Sequence, residues 1–170
     1  MTNIASRPLR LFVATSTLES PGPFKDDQQF AYAWALVDEA GKAIASDRNP
    51  FGDGGRGDHT KGVFPAIRSG LSFAAEGALV EVITGLKYVR DLLNSPSSER
   101  RLKGYRRSDK KPLADKAELI ALDGGLEERG ISISGRGPSG DDEEVLLAKL
   151  QTWAHEKARN SGLTPSDWNL

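Results

Sequence analysis

Apolar and polar residues alternate along this chain with two distinct periods, and the switches between them mark the predicted elements. Leu9-Arg-Leu-Phe-Val-Ala-Thr-Ser-Thr17 is rich in β-formers and stops at Ser20-Pro21-Gly22-Pro23, a turn cluster that neither strand nor helix crosses. It predicts a first strand. From Phe30 to Val37 large and small side chains alternate, Asp38-Glu39-Ala40-Gly41 interrupts them, and Lys42 to Ser46 resumes, which predicts a hairpin. The glycine-rich stretch Phe51 to Asp58 predicts a loop. Val63, Ile67, Leu71 and Ala74 then recur with a period of about 3.6 residues, and Pro65 is tolerated in a first helical turn. Leu79 to Thr84 reads as a short strand, and Leu86, Val89, Leu92 and Leu93 mark a second helix up to Asn94-Ser95-Pro96.

Residues 96–112 carry no apolar period and are predicted to form a connection or basic protrusion outside the core. Leu113, Ala117, Ile120 and Leu126 line one face of a further helix, closed by Gly124, Gly125 or Gly130, before an alternating strand Ile131-Ser-Ile-Ser134. A turn-rich loop, Gly135 to Gly140, leads to Asp141, Asp142, Glu143 and Glu144, acidic residues that favour a helix N-terminus through the macrodipole. Leu146, Leu147, Leu150, Trp153, Ala154 and Ala158 complete an amphipathic last helix. No internal repeat or linker interrupts this order, so residues 1–160 are expected to form one domain and 161–170 a tail.

The length of 170 residues suits one domain that buries ~70% of the surface its unfolded chain exposes. The absence of cysteine excludes disulfides, a thiol nucleophile and any Cys-based zinc site. No apolar run has the length of a membrane span, and Met1 to Arg7 lacks the features of a secretory leader, so a cytoplasmic location is expected. The 23 basic residues nearly balance the 24 acidic ones, for a formal charge of −1, which argues against a globally basic nucleic-acid binder. That balance hides a cluster. Between Arg100 and Lys111 stand Arg100, Arg101, Lys103, Arg106, Arg107, Lys110 and Lys111 against one anion, Asp109, a local charge of +6 that leaves −7 on the rest. Clustered cations neutralise phosphates, and Tyr105 among them can stack on a base or sugar. Two glycine runs, from Gly52 and from Gly135, fit a dinucleotide-loop spacing, but neither opens a βαβ unit in the required position.

The order of elements, together with four motifs at matching places, resembles the ribonuclease H family. Val13-Ala14-Thr15-Ser16 followed by Ser20-Pro21-Gly22-Pro23 is similar to the family's Thr-Asp-Gly-Ser and Asn-Pro-Gly-Pro. Tyr88-Val89 matches the Tyr-Val of the helix after the fourth strand, and Tyr105-Arg-Arg-Ser-Asp-Lys-Lys-Pro112 matches the end of the family's basic protrusion. The resemblance implies an α/β fold: a mixed five-stranded sheet, with an antiparallel three-strand meander, two parallel strands and helices on both faces.

It also implies an RNA–DNA hybrid as ligand and a cage of Asp and Glu for two Mg²⁺ ions, hard cations that need oxygen ligands. Here the cage positions fall on Ala14, on Gly62 or Val63, on Gly85, and on Val145 or Leu146, and no histidine stands in the loop before the last helix. None of these side chains can hold Mg²⁺, so the reading is of a catalytically inactive relative with no metal or other cofactor. Two alternatives stand beside it: a protein-interaction module of the same fold, and a nuclease whose ligands have moved to Asp141, Asp142, Glu143, Asp53 and Asp58. Nucleic-acid contacts are expected at Arg100, Arg101, Lys103, Tyr105, Arg106, Arg107, Lys110 and Lys111, with Ser20, Thr60 and Lys61 as further contacts to the backbone.

Overall fold

The computed structural model describes residues 8–17, 28–47, 54–57, 63–105 and 116–160. In chain order the elements are β1 (Leu9–Thr17), β2 (Gln28–Val37), β3 (Ala43–Ser46), β4 (Gly54–Gly57), α1 (Val63–Leu71), β5 (Leu79–Ile83), α2 (Lys87–Asn94), α3 (Ser97–Leu102), α4 (Lys116–Arg129), β6 (Ser132–Arg136) and α5 (Asp141–Asn160). β1 pairs antiparallel with β2, opposing Ala14 to Ala33, and parallel with β5, opposing Phe12 to Ile83. β6 pairs parallel with β5, and the order across the sheet is β3-β2-β1-β5-β6.

Alternation along β1 divides the core. Leu11 and Val13 face one layer of apolar residues, with Val63, Phe64 and Ile67 of α1, Val89 and Leu93 of α2, and Leu119 and Leu122 of α4. Phe12 and Ala14 face the other, beneath Leu150 and Ala154 of α5. Helices therefore cover both faces, as the fold class requires. Close approach replaces side-chain bulk at Gly70 of α1, where a Cβ would stand 2.4 Å from Leu11 Cδ1. Among the described residues no helix is long and apolar enough to cross a membrane.

Three sequence expectations are corrected. The glycine-rich stretch expected as a loop contains β4, which pairs with Gln28–Ala31 while β3 pairs with Ala35–Val37. β3 and β4 thus lie end to end along one edge of β2, and the five strand positions hold six segments. Glycines give no side-chain period to read, yet backbone pairing needs no side chain. On α4, Ala117 and Ile120 are exposed, and the buried face is Leu119, Leu122, Asp123 and Leu126; Leu113 lies outside the described residues. Gly124 and Gly125 stay inside this helix. It ends at Gly130, where φ is 63°. Gly130 N–H donates to Glu127 C=O at 3.3 Å and Ile131 N–H to Leu126 C=O at 3.0 Å, the paired bonds that close a helix through a left-handed residue.

The third correction concerns the segment expected to lie outside the core, whose described part, residues 96–105, does contribute to it. Arg100 is 5% exposed and Tyr105 8%, both turned inward against the fully buried Asp123 of α4. Arg100 Nε and Nη2 donate to the two Asp123 oxygens at 3.1 and 2.5 Å, and Tyr105 Oη donates to Oδ2 at 3.2 Å. Arg100 Nη1 donates to the carbonyls of Leu92 and Ser95 at 2.5 and 2.6 Å, partners for the open end of α2. A second buried pair, Lys157 and Asp47 at 2.5 Å, ties α5 to the residue after β3.

Removing one member of a buried pair strands the other charge, whereas replacing both removes the desolvation cost as well. Asp123→Ala is expected to lower the unfolding free energy by about 3–5 kcal/mol in urea titrations, and the double change Arg100→Met with Asp123→Leu to restore most of that loss.

Candidate functional site

The parallel register of β1 and β5 places two of the four cage positions at the same end of the sheet. Phe12 stands opposite Ile83, so Ala14, inside β1, and Gly85, just past the carboxyl end of β5, each lie two residues further on along neighbouring strands. Open α/β sheets hold ligands at such ends. Ala14 is 5% exposed and belongs to the cluster with Ile83, Leu150 and Ala154, while Gly85 is exposed. Val63 opens α1 fully buried in the core of the opposite face, and Val145 on α5 points into solvent at 67% exposure. Ala14 and Gly85 thus belong to neighbouring strands, whereas Val63 lies in the core of the opposite face and Val145 is exposed on α5.

A methyl, a hydrogen and two isopropyl groups offer no oxygen to a hard cation, so these positions do not fit the metal pair that the family resemblance implies. The charged group that does reach this end of β5 is a cation: Arg90 Nη1 donates to the Thr84 carbonyl at 3.1 Å. Nearby on the α5 side, Gln151 Nε2 donates to Thr15 C=O at 2.6 Å, and Ser16 Oγ lies 3.4 Å from His155 Nδ1.

Of the residues considered for a displaced metal site, Asp141 and Asp142 are exposed in the first turn of α5, and Asp53 and Asp58 lie outside the described residues. Glu143 is corrected as a candidate ligand because its oxygens are already engaged. Arg136 Nη1 and Nη2 donate to Oε1 and Oε2 at 2.6 and 2.8 Å, Arg10 Nη1 to Oε2 at 3.0 Å, and Ser139 N–H to Oε1 at 2.8 Å. Arg136 Nε also reaches Glu81 at 2.6 Å, which extends the cluster across β5. The Arg136 hydrogen bonds, reinforced by Ser139 N–H and Arg10 and opposed by burial, hold the Glu143 carboxyl at about 2, below its ordinary 4.5. The same bonds raise the Arg136 guanidinium above its usual range. In the sequence this acid reads as helix-end electrostatics or as a displaced ligand, since its two arginine partners are seven and 133 residues distant.

The basic segment begins on a fixed base. Arg100 and Tyr105 are corrected as nucleic-acid contacts: both are buried on Asp123, and burial, then the Asp123 charge, raise the Tyr105 hydroxyl above its usual range. Tyr105 also takes a left-handed φ of 56°, which follows Gly104 at 62° and turns the chain back toward α4. Arg101 is half exposed and pairs with Glu127 of α4, and Lys103 is exposed. Leu102 between them is 88% exposed. Ser20, Thr60, Lys61, Arg106, Arg107, Lys110 and Lys111 lie outside the described residues. Asp123 itself had a visible signal, an acid on the apolar stripe of a helix, but its partner had none.

These elements and their order define a ribonuclease H-like fold. The chain is similar to the foamy viral protease-reverse transcriptase solved with an RNA/DNA hybrid, with a TM-score of 0.71 and 15% identity over 93% of this chain; the match spans 21% of that longer protein. It also matches the isolated foamy virus RNase H domain, with a TM-score of 0.65 and 15% identity over 95% of this chain and 100% of that one. LC11-RNase H1 in complex with an RNA/DNA hybrid superimposes at a TM-score of 0.56, with 12% identity over 89% of this chain and 99% of that one. No protein-family description matches the chain, and no curated protein matches it in sequence.

The depressed Glu143 carboxyl fixes the sign of a pH effect. Its contribution to stability is complete above the unfolded value near 4.5 and is lost as pH falls through about 2. Glu143→Gln should lower stability by about 2–4 kcal/mol at neutral pH, and urea titrations should show the gap to the unaltered chain narrowing steadily below pH ~4.5.

Proposed function

We propose that this chain is a catalytically inactive ribonuclease H-like protein that binds nucleic acid, an RNA–DNA hybrid or another duplex, through its basic segment. The observation that carries this reading is the anchored base of that segment. Asp123 holds Arg100 and Tyr105 at 2.5–3.2 Å, and the other cations of the run, up to Lys111, neighbour this anchor in the sequence. With Arg100 neutralised internally, Arg101, Lys103, Arg106, Arg107, Lys110 and Lys111 remain against Asp109, set on a body of opposite charge. An acidic body repels phosphate everywhere else, so the segment dictates where a duplex can approach. Two of the similar structures contain an RNA/DNA hybrid, which supports the ligand class.

The reading of inactivity rests on donor chemistry. Two-metal hydrolysis needs carboxylates that clamp both ions, and Ala14, Val63, Gly85 and Val145 supply none. The alternative of relocated ligands retains only Asp141 and Asp142 among the described candidates, both on one turn of α5.

Filter binding of a hybrid and a DNA duplex over a salt series tests the proposal. Log affinity should fall linearly with log salt, and Arg106→Ala with Arg107→Ala should reduce the slope by about two, roughly one per lost phosphate contact. Absence of binding to either duplex at low salt overturns it. Incubation of the hybrid with Mg²⁺ or Mn²⁺ should give no cleavage; cleavage that disappears in Asp142→Asn would establish the relocated nuclease instead.

A further inference from the structure

An edge strand turns half of its backbone groups outward, and these form a hydrogen-bonding template wherever nothing covers them. β6 is the last strand of the sheet, and its bonding direction is legible residue by residue. Ser132 N–H donates to Ala78 C=O at 3.0 Å, and Thr84 N–H donates to Arg136 C=O at 3.2 Å. The even-numbered residues of β6 therefore face β5. Because the two groups of a strand residue point the same way and alternate along the chain, Ile131, Ile133 and Gly135 face outward.

Gly135 is closed from within the fold on both its groups, and Ile131 on its donor. Ile131 N–H donates to Leu126 C=O at 3.0 Å. The side-chain amide of Asn94 closes Gly135: Nδ2 donates to its carbonyl at 2.9 Å and Oδ1 accepts its N–H at 2.8 Å, the two bonds that a facing strand residue would make. Among the described residues nothing makes the corresponding bonds at Ile133.

A groove of about 460 Å³ opens beside Ile133, between the ends of α2 and α4 and the start of α3, with Leu93, Pro96, Leu126 and Ile131 as its apolar lining and Ser95 and Ser98 among its polar residues. That volume admits a few side chains. The charges around it are committed to one another, Arg100 to Asp123 and Arg101 to Glu127. Among the described residues a phosphate backbone finds no unpaired cation lining this groove, whereas an uncharged extended peptide meets a donor, an acceptor and an apolar wall.

The geometry points to a peptide-docking site, distinct from the basic segment, in which an extended segment of a partner protein adds one short antiparallel strand to β6. The residue opposite Ile133 exchanges both backbone bonds with it. Directly opposed residues share a face, so that residue's side chain turns with Ile133 toward the helical layer and enters the groove. Asn94 and Leu126 stop the added strand on either side. The site thus selects one apolar residue in a stretch of extended backbone.

A linear eight-residue random peptide library displayed on phage, selected on the whole chain, tests this. Enriched sequences should share one apolar residue among β-branched neighbours. The synthesised peptide should slow amide exchange at Ile133 at least tenfold. Ile133→Pro removes the outward donor while leaving the β5 ladder intact, and should weaken binding at least tenfold. N-methylating the peptide at its apolar residue should do the same on the unaltered chain, which decides the question even if the proline variant does not fold. Arg106→Ala with Arg107→Ala should leave peptide affinity unchanged. The inference is overturned by a failure to enrich any peptide, by equal binding of the methylated peptide, by protection outside residues 131–135, or by displacement of the peptide with a DNA duplex, which would assign the groove to a nucleic-acid surface.

Discussion

Asp123 sits fully buried on α4 and accepts three hydrogen bonds, two from Arg100 and one from Tyr105. An ion placed in a protein interior forfeits several kcal/mol of hydration, and only complete bonding recovers it. The arginine meets that condition with four acceptors, since its remaining nitrogen takes the Leu92 and Ser95 carbonyls. One carboxylate thereby fixes the end of α2, all of α3, the turn through Gly104 and Tyr105, and the middle of α4. Both surfaces to which function is ascribed here, the basic segment and the groove beside β6, begin at residues held by this set of bonds.

At the other face of the sheet, carboxylates have a different employment. Glu143 and Glu81 are bound to arginines in an alternating cluster with Arg10 and Arg136, where guanidinium groups and a backbone N–H satisfy oxygens that a metal site would leave open to cations. The cage positions on β1 and just after β5 carry alanine and glycine, and the α5 side of Ala14 is filled by Leu150 and Ala154. Acidic residues in this fold stabilise helix α5 and its seat on the sheet.

Much of the architecture was legible in side-chain periods. The strands β1, β2, β3, β5 and β6 and the helices α1, α2 and α5 fall where alternation or a helical stripe places them, because each buries one face, and α4 was legible as a helix but with the wrong face inward. β4 was not legible, since a run of glycines pairs through its backbone alone. Direction was the other gap. Arg100 and Tyr105 belong to a run of cations, and a charge count does not say which member turns inward. Lys157 and Asp123 did stand on apolar stripes, beside Ala154 and Ala158 in one case and Leu122 and Leu126 in the other. Such positions announce a buried charge, but the partner comes from an element far away in the chain and is set by tertiary packing. The candidate cage positions were visible through motif spacing, and what spacing could not convey is that Val63 is buried on the face opposite Ala14 while Val145 is exposed.

The buried pair of Lys157 and Asp47 bears on the order in which the molecule assembles. Lys157 also donates to the Tyr32 carbonyl at 3.3 Å, a contact across 125 residues of chain. Hairpins and helices form from local contacts, but this one waits for α5, which a ribosome delivers after every strand. Until then the Lys157–Asp47 pair cannot form, and among the described residues the outer edge of β2 holds the short segments β3 and β4. The last turns of α5 therefore act as a late fastening on the opposite margin of the sheet, and the interval before they dock is when a nascent chain is most exposed to pairing with its neighbours.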